Sequence, residues 1–127
     1  MPRRPSPTLT EAELRVMEVL WRLGSATVAE VTETLPPPPL AYNSVLTTLR
    51  ILEQKGHVAH EEAGRAFVYR PLIAREAAAG SAVKNVLEKF FGNSSGELAL
   101  RLIESERPSE AELARLRSLI ERYEEGS

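Results

Sequence analysis

Four consecutive prolines at residues 36–39 are the feature that most constrains how this chain can fold. Proline lacks a backbone N–H and its ring clashes with the preceding helical turn, so a helix cannot run through this segment. A proline run also favours a stiff, extended conformation. The chain is therefore divided into helical segments before the prolines and a separate element after them, joined by a rigid connector.

Two helix-start patterns precede the prolines. In "LTEAELRVMEVLWRLG", Thr10 can cap a helix while Glu13 reaches back to the cap amide, and Gly24 is suited to end that helix. The same spacing recurs with Thr27 and Glu30, and the prolines limit this second helix to about nine residues. The segment is predicted to form a pair of helices.

A third helix is predicted from about Ala41 to Lys55, because Gly56 can end it and the apolar residues recur at helical spacing. One face carries the apolar side chains Val45, Leu49 and Leu52. The opposite arc, about 60° wide, carries Asn43, Thr47, Arg50 and Gln54. A face that only meets solvent is more often filled with Glu and Lys. This combination of polar residues suits contact with base edges.

The segment "HVAHEEAGRAFVYRP" follows the third helix. It contains two short runs that tolerate strand pairing, separated by a glycine-containing turn, and Phe67, Val68 and Tyr69 have high β-propensity. Three helices followed by a hairpin is the order of a winged helix-turn-helix, in which the third helix enters the major groove. The predicted fold is thus mainly α with a small β-hairpin.

The C-terminal part is predicted to form short amphipathic helices. Alone they have little apolar surface to bury against, which indicates a helical dimerisation arm. Its predicted contact residues are Val83, Leu87, Phe90, Phe91, Leu98, Leu102, Leu113, Leu116 and Ile120. The predicted domains are residues 1–72, a winged-helix DNA-binding domain, and residues 73–127, a helical dimerisation domain.

Composition restricts the chemistry further. The chain of 127 residues has no cysteine and a net charge of −2. Disulfides and thiolate metal sites are therefore excluded, and any surface that faces phosphate must be local. The two histidines, His57 and His60, are predicted to point to opposite faces of one strand, which argues against a shared metal ion. We expect neither a metal nor another cofactor.

Other classes of protein are also disfavoured. The sequence offers no combination of nucleophile, base and orienting group, so an enzyme is not expected. It has no apolar run of the ~20 residues needed to span a bilayer, and "MPRRPSPTLT" lacks the apolar core of a signal peptide. These features predict a cytoplasmic protein that does not interact with a membrane.

The chain resembles the BlaI/MecI penicillinase-repressor family of bacterial winged-helix transcriptional regulators. The resemblance is carried by "LTEAELRVMEVLW", "NSVLTTLRILEQKG", "GRAFVYRP" and "FFGNS". It implies a homodimer that represses transcription by binding a double-stranded inverted-repeat operator. The residues that it implies for DNA contact are Tyr42, Asn43, Ser44, Thr47 and Arg50 in the third helix, with Gly64 and Arg65 at the wing tip.

Two departures from the family concern induction. Some members are inactivated by a sensor protease that cuts an Asn-Phe bond, whereas the matching position here is Arg101-Leu102. The copper-responsive branch uses cysteine pairs that this chain lacks, so metal sensing is not implied. A sensor protease or another inducer remains an unidentified expected partner.

The chemistry of these side chains suggests a role for each. Arg50 can pair with guanine and Asn43 with adenine, each through two hydrogen bonds, while Thr47 offers a hydroxyl and a methyl group. Tyr42 and Ser44 suit phosphate oxygens. Further backbone or minor-groove contacts are expected from Arg65 and from an N-terminal arm that carries Arg3 and Arg4.

Two alternatives to a DNA-binding repressor stay open. A winged helix can serve protein-protein contacts alone, which would agree with the acidic net charge. A regulator that responds to a small ligand, bound between the winged-helix domain and the C-terminal arm, is the other alternative.

Overall fold

The computed structural model describes residues 8–126. The elements follow in the order α1 Glu11–Leu23, β1 Ala26–Thr27, α2 Val28–Thr34, α3 Tyr42–Gln54, β2 Val58–Ala63, β3 Ala66–Pro71, α4 Arg75–Phe90, α5 Ser95–Ser105 and α6 Glu110–Glu125. The chain divides into two compact units at the bond between Asn85 and Val86, within α4. The predicted domain boundary after residue 72 stays a prediction.

The predicted helix starts are confirmed. The Thr10 hydroxyl accepts a hydrogen bond from the Glu13 amide at 3.2 Å, and the Glu13 carboxylate accepts one from the Thr10 amide at 2.7 Å. Thr27 and Glu30 form the same capping box at the start of α2. The prolines stop α2 after seven residues, slightly fewer than expected. Each helix start is therefore satisfied locally, by residues three apart in sequence.

The hairpin of β2 and β3 is also present, with Ala63 paired to Ala66 across a two-residue turn. A third strand, β1, was not predicted: Ala26 pairs with Tyr69 and Thr27 with Val68 on the other edge of β3. Two residues are too short to produce an alternating pattern. This strand forms because tertiary packing brings it against β3, not because of its own propensity.

One correction concerns the first histidine. β2 begins at Val58, so His57 precedes the strand, and the predicted alternation of His57 and His60 across one strand is wrong. Gly56, with φ of 83°, is in the left-handed region. Because that glycine redirects the chain between α3 and β2, the strand starts later than residue propensity alone suggests.

The hydrophobic core of the N-terminal unit is formed where α1, α2 and α3 pack against the small sheet. Its fully buried side chains include Val16, Met17, Leu20, Val31, Val45, Leu49, Leu52, Val58 and Tyr69. Burial of Val45, Leu49 and Leu52 confirms the predicted inner face of α3. The same packing directs the opposite face of α3 to solvent.

The three C-terminal helices have a different character. Among their described residues, none is buried. Ser94 caps α5, and Ser109 with Glu112 forms a capping box at α6. Within residues 8–126, no helix is both long and apolar enough to cross a membrane.

Candidate nucleic-acid interface

The polar face of α3 is exposed as predicted. Asn43, Thr47, Arg50 and Gln54 are all accessible to solvent, while Val45 and Leu49 behind them are completely buried. The core therefore fixes the rotation of the helix about its own axis. A helix held in this way can present four polar side chains to one ligand surface. With 13 residues at the usual rise of an α-helix, α3 is longer than a major groove is wide, about 12 Å.

The start of α3 is open to a ligand. Ala41 is the cap residue, and its methyl side chain cannot accept hydrogen bonds from the amides of the first turn. Tyr42 is 52% exposed, and Ser44 is also exposed. The free amides of a helix N-terminus carry partial positive charge, so together with these hydroxyls they suit a phosphate oxygen.

Two contacts that were not anticipated attach the connector before this helix, and the C-terminal end of the helix itself, to α1. The Arg15 guanidinium in α1 donates to the carbonyl oxygens of Pro36, at 2.8 Å, and of Pro38. At the other end, Lys55 Nζ lies 2.8 Å from Glu13 Oε1, with both side chains almost fully buried. The proline connector and the C-terminus of α3 are thus both attached to α1.

The wing tip consists of Gly64 and Arg65, the two residues between β2 and β3. Gly64 has φ of 65°, which favours glycine and allows the tight turn. Arg65 is exposed at the tip. Behind it, Arg70 Nε lies 3.7 Å from Glu61 Oε1, so that cation is already close to a carboxylate.

A polar contact joins the wing to α3. His60 Nδ1 in β2 lies 2.7 Å and 2.9 Å from the two carboxylate oxygens of Glu53. The His60 ring also contacts Phe67 and Tyr69, with centroid distances of 4.7 Å and 5.3 Å. Burial raises the pKa of the Tyr69 phenol, and the negative charge of Glu53 raises it further.

The other predicted contacts and sites lie outside the α3 face and the wing. Arg3 and Arg4 lie outside the described residues. Within residues 8–126, no group of three or more histidine and acidic side chains could hold a metal ion. The bond between Arg101 and Leu102, the position that matches the family's cleavage site, lies inside α5.

The predicted dimerisation residues lie on the C-terminal helices α4–α6. Val83, Phe90, Leu102 and Ile120 are exposed, Phe90 to 77%. The other five, Leu87, Phe91, Leu98, Leu113 and Leu116, are half-buried. A groove of about 670 Å³ lies between α5 and α6 and includes Leu102, Ile103, Leu116 and Leu119 in its lining.

The contacts at the ends of α3 and at the base of the wing were missed from the sequence, because each joins residues far apart in the chain. Lys55 and Glu13 are separated by 42 positions, and Pro36 and Arg15 by 21. His60 and Glu53 are only seven apart, but they lie on different elements. The available sequence signal for these contacts was a Lys and an Arg within or next to predicted helices. Such residues are too common in helices to identify a specific contact.

Three helices, a hairpin wing and an exposed polar face on the third helix define a winged helix-turn-helix domain of the kind found in transcriptional regulators. The family model of the penicillinase repressor matches residues 9–122. The chain therefore belongs to the penicillinase repressor family, whose members are transcriptional repressors and not enzymes.

Two similar proteins agree with this assignment, and a third shows the same fold. The penicillinase repressor of Bacillus licheniformis is 28% identical over 118 residues, which cover 92% of each chain. The solved DNA-binding domain of the repressor BlaI is 33% identical with a TM-score of 0.50, covering 61% of this chain and 93% of that domain. The YusO protein of Bacillus subtilis shares the fold, with a TM-score of 0.51 at 19% identity over 94% of this chain and 77% of YusO.

Proposed function

We propose that this protein is a homodimeric, sequence-specific repressor that binds an inverted-repeat operator with α3 and the wing. In this proposal residues 1–72 bind DNA and residues 73–127 dimerise. The base contacts are made by Asn43, Thr47, Arg50 and Gln54, and the backbone contacts by Tyr42, Ser44, Gly64, Arg65, Arg3 and Arg4. In the same proposal the protein acts in the cytoplasm, where it meets its operator DNA.

The single observation that carries this proposal is the exposed polar face of α3. The buried residues Val45, Leu49 and Leu52 fix the backbone of α3, so the four polar side chains start from fixed positions along a face that can match a sequence of bases. Arg50 has the five-donor fork that pairs with guanine O6 and N7, and the Asn43 amide can donate to and accept from adenine. The similarity to the DNA-binding domain of BlaI supports the same use of the helix here.

The charge distribution determines how affinity should depend on salt. The chain is slightly acidic overall, so attraction to DNA depends on a few local cations such as Arg50 and Arg65. We expect about 3 to 5 phosphates to be neutralised per subunit, with a slope of about −0.9 in log affinity against log salt for each phosphate. Binding should therefore weaken steeply as salt rises.

The C-terminal helices support the homodimer. Their apolar side chains are exposed or only half-buried, and none of their described residues is buried. A second copy of the same helices would cover these apolar groups from both sides, as a two-fold interface requires. Two DNA-binding domains related by that axis would then match a dyad-symmetric operator, with half-sites separated by one helical turn or a multiple of it.

The proposal is tested by selecting duplexes from a random pool and measuring their binding by fluorescence anisotropy at two salt concentrations. Arg50→Ala should reduce the free-energy preference for one base pair over the others, at a single position of the duplex, by about 1–3 kcal/mol. Arg117→Ala is the matched control, because it removes the same charge from an exposed position on α6. That control should leave the preference for the base unchanged.

The outcomes separate the competing functions. An enriched inverted repeat that loses preference at one position only in Arg50→Ala supports the repressor. A pool that stays random, with weak binding that is indifferent to Arg50, would contradict DNA recognition and favour a protein-protein interaction module instead.

A further inference from the structure

The base of the wing is attached to the DNA-facing helix by one pair of polar side chains. His60 Nδ1 lies within 2.7–2.9 Å of both oxygens of Glu53. A carboxylate only accepts hydrogen bonds, so the Nδ1 proton of His60 is donated to Glu53. The two side chains are each 33% exposed, which leaves the pair partly shielded from water.

The His60 ring is also fixed from the other side. In the antiparallel register His60 lies directly opposite Tyr69, and its ring contacts both Tyr69 and Phe67. Tyr69 is itself buried in the core. The imidazole therefore lies between the sheet and α3, where it adds a polar contact to the core packing of Val58 and Tyr69 that already holds the hairpin against that helix.

This contact lies where a small displacement has a large effect. His60 precedes Gly64 by four residues, which corresponds to roughly 13 Å of extended strand. A tilt at the base of the wing would therefore be amplified at Arg65. Because Arg65 and the polar face of α3 are proposed to contact the same duplex, their relative position decides whether both can bind at once.

Glu53 gives the contact a second consequence. It lies about 60° around the helix from Arg50 and directly precedes Gln54, so its carboxylate flanks the polar face of α3. A carboxylate that is free to turn towards DNA would repel phosphate. The hydrogen bond from His60 holds it towards the wing instead.

We propose that His60 is a positioning residue for operator binding, which acts through Glu53 to fix the wing relative to α3. The inference rests on the proposed DNA-binding function. It concerns residues that need not touch the duplex themselves. Its effect should be seen in the contribution of Arg65, which depends on where the wing tip lies.

The test uses two substitutions that separate the ring from the hydrogen bond. His60→Phe keeps an aromatic ring against Phe67 and Tyr69 but cannot donate to Glu53. His60→Asn loses the ring but keeps an N–H donor near the place of Nδ1. Glu61→Gln is the matched control, because it alters an exposed pair with Arg70 within the same hairpin.

With the selected operator duplex, His60→Phe should weaken binding about tenfold, as loss of a hydrogen bond to a charged group implies, whereas His60→Asn should stay within about threefold of wild type. Glu61→Gln should not weaken binding. In the His60→Phe background, Arg65→Ala should have little further effect, because the wing tip is no longer in place. Unchanged affinity of His60→Phe, or a full effect of Arg65→Ala in that background, would overturn the proposal.

A measurement without DNA separates this inference from the proposed function. In the free full-length protein, His60→Phe should speed backbone amide exchange in residues 61–67, while His60→Asn and Glu61→Gln should not. Failure of the wild type to select any duplex would overturn the repressor function and with it the role of His60 in operator binding. Exchange that is identical in wild type and His60→Phe would show that the pair does not fix the wing.

Discussion

Lys55 Nζ lies 2.8 Å from Glu13 Oε1, and the exposed fractions of the two side chains are only 6% and 4%. The same carboxylate oxygen also accepts a hydrogen bond from the Thr10 amide in the capping box. Glu13 thus joins the start of α1 to the C-terminal end of α3, the helix that carries the proposed base contacts. A residue that the sequence identifies as a local helix cap also sets the position of a distant element.

The first prediction concerns the stability of this ion pair. Lys55→Met keeps most of the aliphatic side chain but leaves a buried carboxylate without its partner, so the free energy of unfolding should fall by about 3 kcal/mol. The double variant Glu13→Gln with Lys55→Met should recover much of that loss, since glutamine can still complete the capping box. Urea unfolding of the wild type, the two single variants and the double variant measures the coupling.

The control for this prediction is the exposed pair of Arg75 and Glu18, which are 3.3 Å apart. Glu18→Gln should change stability by less than about 1 kcal/mol, because solvent screens exposed ion pairs. Equal losses from Lys55→Met and Glu18→Gln would contradict the importance of burial.

The second prediction is a loss of stability in acid. Burial opposes ionisation of Glu13, but hydrogen bonds from Lys55 and from the Thr10 amide outweigh it and lower the pKa of the carboxyl. Hydrogen bonds from Thr27 and from Ser109 lower the pKa of Glu30 and of Glu112 in the same way. Because these pKa values are lowered, the ionised carboxylates stabilise the fold at pH values above the ordinary glutamate pKa of about 4.3. That stabilisation is lost as the pH falls through the lowered pKa values of the folded state.

Urea midpoints between pH 7 and pH 2.5 measure this effect. Glu13→Gln should be less stable than wild type at pH 7, and the difference should shrink as the pH falls. The two curves should converge because protonation removes from the wild type what the substitution removes from the variant. A constant difference between the curves would show that the carboxylate charge of Glu13 contributes nothing.

The third prediction concerns Arg65 at the wing tip. Arg65→Ala should weaken binding to all duplexes by a similar factor, because a phosphate contact carries no sequence information. The slope of log affinity against log salt should become shallower by about 0.9 for each subunit. Anisotropy titrations over a series of salt concentrations measure it, and a change of base preference without a change of slope would contradict the assignment.

The fourth prediction concerns the dimer. Leu116→Glu introduces a charge into the apolar groove between α5 and α6, and it should weaken both self-association and operator binding, since a single half-site binds far more weakly. Ala114→Glu is the control, because it adds the same charge on the opposite side of α6. Analytical ultracentrifugation that finds an intact dimer of Leu116→Glu would contradict the proposed interface.

Local sequence determined much of this protein. The capping boxes at Thr10, Thr27 and Ser109 involve residues three apart, and a proline run blocks a helix wherever it occurs, so these boundaries follow from neighbours in the chain. The polar face of α3 was likewise predicted, because helical periodicity separates Val45 and Leu49 from Asn43 and Arg50 without any knowledge of the partner surfaces.

Tertiary structure decided what no local rule could. β1 is a strand only because Ala26 and Thr27 lie against β3, and Lys55 becomes buried only because α1 brings Glu13 to it. The contact of His60 with Glu53 likewise depends on the hairpin packing against α3. Propensity and periodicity describe a residue and its near neighbours, whereas these contacts depend on how whole elements pack, which is a property of the assembled core.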